Sequence, residues 1–108
     1  MKEFREAEGY AADLQVAYDY YRSYSPMAAA RFLASYARAI RVIQHNPQAC
    51  RTRRHGWRQM IIPGHPGFSI FYRELPICWL LGGVLSTVRD PDAIQARLLI
   101  REIADEET

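Results

Sequence analysis

The stretch from Trp57 to Asp90 limits the fold more than any other part of the chain. It holds three apolar runs, residues 57–62, 67–73 and 77–88. Pro63-Gly64-His65-Pro66-Gly67 and Glu74-Leu75-Pro76 part them. Runs rich in β-branched and aromatic residues, bounded by Gly and Pro, read as strands. Connections this short make neighbouring strands antiparallel. Alternation puts Phe68, Ile70 and Tyr72 on one face of the middle strand and Ser69, Phe71 and Arg73 on the other. In the first run Trp57, Gln59 and Ile61 point one way, and Arg58, Met60 and Ile62 the other. Gly82-Gly83, inside the third run, predicts a bulge or a close approach by another group.

The segments before and after this meander read as helices. Leu14, Ala17, Tyr18 and Tyr21 recur at helical spacing, which predicts a helix over 9–24. Ser25-Pro26 then supplies an N-cap and a first-turn proline for a second helix ending near His45, before Asn46-Pro47. So tight a link makes the two helices an antiparallel hairpin. Asp90-Pro91 opens a last helix whose apolar residues Ile94, Leu98, Leu99, Ile100 and Ile103 form a wide stripe, with one edge left for a partner. Residues 2–6 give a weak first strand around Phe4. The expected fold is α+β in two layers: an N-terminal strand and helical hairpin on a three- to four-stranded antiparallel sheet, with a C-terminal helix. The expected organisation is one domain over 1–104 and an acidic tail over 105–108.

Charge is distributed unevenly. Between Tyr20 and Arg73 there is no Asp or Glu, yet nine arginines: 22, 31, 38, 41, 51, 53, 54, 58 and 73. Such a region favours an acidic partner, and arginine offers a planar fork to carboxylate or phosphate. The plain alternatives are a solvated loop at 46–56 and a genome that prefers arginine codons. Cys50 and Cys78 lack metal spacing and read as reduced thiols. The start of the chain has no apolar signal core, and no run reaches the roughly 18 residues a membrane span needs, so a cytoplasmic protein with no membrane contact is expected.

Several segments stand in a familiar order: Ala12 to Tyr21, Ala30-Arg31-Phe32, Ile43 to Gln48, Gly56-Trp57-Arg58, Ser69 to Arg73 and Val84 to Pro91. Together they resemble the ParE/RelE superfamily of type II toxin–antitoxin toxins, over about 6–97. The resemblance implies a bacterial protein that arrests growth unless a cognate antitoxin binds it as a hetero-oligomer. RelE-like members cut messenger RNA on the ribosome; ParE-like members inhibit DNA gyrase and are not nucleases. RNA cleavage needs a base for the 2′-hydroxyl, cations for the phosphate and an acid for the leaving oxygen. At the positions matching the RelE-like site, Arg58 and Arg89 keep basic character, Met60 and Ser69 do not, and the last helix has no Tyr. A substitute set would be Arg58, Arg89, Tyr72 and His65.

The expected function is therefore a ParE-like gyrase inhibitor, acting by binding rather than as an enzyme. The alternatives are a RelE-like endoribonuclease with a rearranged site, or a degenerate toxin that only binds antitoxin. Target or phosphate contact is expected from Arg51, Arg53, Arg54, Arg58, Arg73 and Arg89, and antitoxin contact from Tyr18, Tyr21, Phe32, Tyr36, Trp57 and Phe71. No cofactor and no metal are implied.

Overall fold

The computed structural model describes residues 2–88 and 90–106. In chain order it has β1 (Glu3–Glu6), α1 (Tyr10–Arg22), α2 (Pro26–His45), β2 (Arg58–Ile62), β3 (His65–Glu74), β4 (Cys78–Ser86) and α3 (Pro91–Glu106). Two short 3-10 turns, Pro47–Ala49 and Arg54–Gly56, lie between α2 and β2. The four strands stand in the order β1-β4-β3-β2. β2, β3 and β4 are the antiparallel meander, and β1 joins β4 in parallel, so the sheet is mixed.

The local chemistry sets the boundaries. Ser25 Oγ accepts from the Ala28 backbone N–H at 3.0 Å, which caps α2 and is worth about 1 kcal/mol. Pro63-Gly64 closes the β2–β3 turn, with Gly64 at φ 78°, where a Cβ would be strained. This turn is shorter than the expected loop, so β3 begins at His65. Between β3 and β4 the register shifts at Phe71/Tyr72, which pair with Gly83 and Leu81. Gly82 is the extra residue of that bulge. A Cβ there would lie 2.5 Å from the Trp57 ring, so the bulge and the indole need each other.

The helices do not share one face. Phe68, Ile70 and Tyr72 of β3 cluster with Phe32, Ala39 and Ile43 of α2 and with Tyr10 and Ala17 of α1. Phe71 of the same strand clusters with Trp57, Leu80, Leu85 and with Ile94 and Leu98 of α3. The hairpin covers one face and α3 the other, so the expected two-layer packing becomes three layers. The signal was the unbroken apolar run of β4, buried from Cys78 to Leu85. A strand with two buried faces loses the alternation of a half-exposed one.

A buried ion pair ties α1 to α3 past the end of β1. Arg101 Nη2 donates to Asp13 Oδ1 at 2.9 Å, and Arg101 Nη1 donates to Asp13 Oδ2 and, at 3.0 Å, to the Gly82 carbonyl. The Val84 N–H donates to Asp13 Oδ2 at 3.2 Å. β1 last pairs at Leu81, so carboxylate and guanidinium serve backbone groups of β4 beyond its reach. α3 also carries Arg5–Asp105 and Arg73–Glu102 bridges. Asp105 is thus helical and held by Arg5, and α3 runs on past residue 104. Glu107 and Thr108 lie outside the described residues. No helix among the described residues is long and apolar enough to cross a membrane.

Candidate functional site

One helix cannot cover a sheet face as two can, and α3 leaves part of its face open. The opening is a cleft of about 540 Å³ between the loop before β2 and the start of α3. Arg51, Arg53 and Arg54 form its rim. Gln59, Gln95 and Thr87 supply its polar groups, and Trp57, Phe71 and Ile94 its apolar wall.

Two of the arginines expected to touch the target instead build this rim. Arg58 Nη1 donates to the Cys50 carbonyl, and its guanidinium lies 5.7 Å from the Trp79 ring centroid. Arg73 Nη1 donates to the His55 carbonyl at 2.9 Å and to Glu102 at 3.1 Å, while its guanidinium sits 5.6 Å from the Trp57 centroid. Thr52 bridges to Arg58, and the Arg53 N–H donates to the Trp57 carbonyl at 2.7 Å. The loop is therefore fixed at Cys50, at Arg53 and at His55, with its arginine side chains exposed. Arg54 is steadied by Asp92 at 2.8 Å. Of the six expected arginines, the structure brings 51, 53 and 54 together, uses 58 and 73 as clamps, and leaves Arg89 outside the described residues.

Of the substitute ribonuclease set, Arg58 and Tyr72 pair across β2 and β3, His65 lies apart from them, and Arg89 is outside the described residues. Tyr72 is fully buried on the hairpin face and donates to the Pro47 carbonyl at 2.6 Å. Burial, and then its bond with Cys50, push its pKa above the ordinary tyrosine value. His65 packs edge-on against Tyr21 and Phe32, with centroids at 4.8 and 5.5 Å. It stands seven positions from Tyr72 along β3, about 23 Å at strand rise. The cleft wall itself holds no carboxylate, imidazole, amine or phenol. Among the described residues, no cluster of His, Cys, Asp or Glu is arranged to hold a metal.

The apolar residues expected to meet an antitoxin divide in the same way. Phe32, Trp57 and Phe71 are 0%, 2% and 6% exposed, so nearly all of their surface is used in folding and offers no anchor to an antitoxin. Tyr36 is half-buried with its hydroxyl 2.7 Å from that of Tyr10. Burial pushes both phenols above the ordinary value. Tyr18 and Tyr21 are half-buried. The open apolar surface lies next to them. It is a groove of about 690 Å³ lined by Val16, Tyr20, Tyr24, Phe68, Val88 and Arg97. Val16, Tyr20, Tyr24 and Val88 are exposed, as are Leu99, Ile100 and Ile103 along α3. Arg97 is exposed and has no ion-pair partner among the described residues. Asp13, at the back of the groove, is neutralised by Arg101.

Neither the protein-family models nor the curated proteins contain a match to this chain.

Sequence reading missed Gln59, Gln95, Arg97 and the Asp13–Arg101 pair. A signal existed for the pair. Asp13 shares a helical face with Tyr10, Leu14 and Ala17, and Arg101 follows Leu98-Leu99-Ile100. A charge at a core position needs a partner.

Proposed function

We propose that this protein is the toxin of a type II toxin–antitoxin pair, of ParE-like character, and that it arrests growth by binding DNA gyrase. The observation that carries the reading is the cleft at 51–54. It sets three arginines on a fixed loop over an apolar wall, and its lining has no group to take or give a proton near neutral pH. Such a site binds carboxylate or phosphate by charge-assisted hydrogen bonds and leaves bonds uncut. That favours the gyrase-binding reading over the ribonuclease one.

The antitoxin seat belongs to the groove beside α1. An amphipathic helix laid against Val16, Tyr20, Tyr24 and Val88 would place apolar anchors at helical spacing and a carboxylate at Arg97. The seat and the arginine cleft are lined by different residues.

The test uses purified protein in two assays. Gyrase supercoiling should stop while translation continues. Cleavage of ribosome-bound message with gyrase unaffected would overturn the reading. Growth unchanged on expression without any antitoxin would overturn the toxin assignment itself.

A further inference from the structure

We infer that the arginine cleft binds a single nucleotide whose base carries an exocyclic amino group, with its phosphate on the rim and its base against the wall. The inference rests on that cleft being the contact site of the proposed function, and it names the ligand chemistry.

The rim asks for an anion. Arg51 and Arg53 have exposed side chains with no ion pair among the described residues, and Arg54 keeps only an exposed bridge to Asp92. A carboxylate would satisfy these groups as well as a phosphate, so the rim alone does not choose. The wall does. Gln59 donates its Nε2 to Ser69 Oγ at 3.0 Å, which leaves its Oε1 free to accept from a ligand. Gln95 has an Oε1 shielded from solvent with no donor. The terminal torsion of a glutamine is soft, so a small rotation presents that oxygen to the cleft. One shielded acceptor in want of a donor, beside a second that is open, suits a ligand with N–H groups. An acidic side chain has none. Adenine, cytosine and guanine each have an amino group, and glutamine reads such edges in nucleic acids. A base in this space meets only the edges of Trp57, Phe71 and Ile94, which are 2%, 6% and 7% exposed, and about 540 Å³ is within the size of small-ligand sites.

Two sources carry this chemistry: a free nucleotide, or one nucleotide of a strand held by the target. The experiment separates them. The intact protein is titrated with AMP, with IMP, with purine riboside monophosphate, with adenosine, with inorganic phosphate and with a short adenine oligonucleotide, reading tryptophan fluorescence and calorimetry. AMP should bind about tenfold more tightly than IMP or purine riboside monophosphate, since each lacks the amino group. Adenosine and phosphate alone should each bind at least tenfold more weakly than AMP. Arg53→Ala should lower AMP affinity about tenfold, and Gln95→Leu should erase the preference for AMP over IMP. Both sites are on surface that the fold does not depend on, and circular dichroism of each variant checks this. Tighter binding of the oligonucleotide than of AMP assigns the site to a strand; equal binding assigns it to free nucleotide. Equal binding of AMP, IMP and phosphate overturns the inference and leaves a general anion surface. If AMP fails to bind while Arg53→Ala still abolishes growth arrest, the inference falls and the proposed function stands. If AMP binds as described and expression leaves growth intact, the inference stands and the proposed function falls.

Discussion

The two faces of the sheet are closed by different physics. The hairpin face is sealed by apolar contact. Two helices and a ring cluster of Tyr21, Phe32, Phe68 and His65 leave its centre dry, and the polar contacts within it, Tyr10 to Tyr36 and Tyr72 to the Pro47 carbonyl, are few. The α3 face has one helix with two buried apolar residues, Ile94 and Leu98. Ion pairs to Asp13, Arg5, Arg73 and Arg54 hold that helix in place. A face closed by contact area leaves room for a partner only at its margin, as in the groove beside α1. A face pinned at separate points leaves gaps between the pins, and the arginine cleft is such a gap. The protein thus keeps the centre of one face closed for stability and leaves the arginine cleft open on the other.

The largest test of this contrast removes one pin. Arg101→Ala leaves the Asp13 carboxylate buried without its cation, which should cost about 3–5 kcal/mol. Pairing it with Asp13→Ala should recover much of that loss, as measured by urea unfolding of both variants. A single-variant loss below about 1 kcal/mol would show that the apolar contacts of α3 suffice by themselves. Next in size is Gly82→Ala. The added carbon meets the Trp57 ring at 2.5 Å and Leu98 at 3.0 Å, so the α3 face must shift, at about 1–3 kcal/mol. Gly67→Ala, where a Cβ meets nothing within 4 Å, is the control and should stay within about 0.5 kcal/mol.

How far the sequence revealed each face follows from the same contrast. The hairpin face was readable, because periodicity and caps are local signals: Ser25-Pro26 starts α2 as expected, and Phe68, Ile70 and Tyr72 do share one face. The α3 face was not, because it is made by long-range pairs. Asp13 and Arg101 are 88 residues apart, and nothing local joins them. The arginine loop was readable as charge. Its geometry was not, because Arg58 and Arg73 carry the same charge as Arg51 and Arg53 and differ only in what stands beside them. Phe32, Trp57 and Phe71 show the same limit. Aromatic character marks a residue for burial or for recognition, and only the fold decides which.

Alkaline pH probes the apolar face alone. Tyr10 is buried, and burial and then the neighbouring Tyr36 raise its pKa. Tyr36 and Tyr72 are raised by burial as well. A phenol whose folded pKa is raised stabilises the fold fully below its unfolded pKa, and that stability is lost as pH climbs towards the folded value. Stability should therefore be flat in these groups below about pH 10 and fall above it. Tyr10→Phe should reduce the slope above pH 10. An unchanged slope would mean that the Tyr10 phenol is open to water.

The smallest expected effect on stability is also the one that divides the faces most sharply. Arg54 and Asp92 form an exposed pair, with side chains 51% and 78% accessible. Arg54→Ala should change stability by no more than about 0.5 kcal/mol, since such pairs are screened by water and salt. If the α3 face binds the target, the same variant, combined with Arg51→Ala and Arg53→Ala, should lose growth arrest while its urea midpoint stays near that of the parent. Val16→Ala with Tyr24→Ala, on the groove beside α1, should do the reverse, keeping growth arrest and losing neutralisation by the antitoxin. Loss of growth arrest in the groove variant, with the arginine variant still toxic, would put the target on the hairpin side. The contrast between a folding face and a binding face would then have to be redrawn around α1.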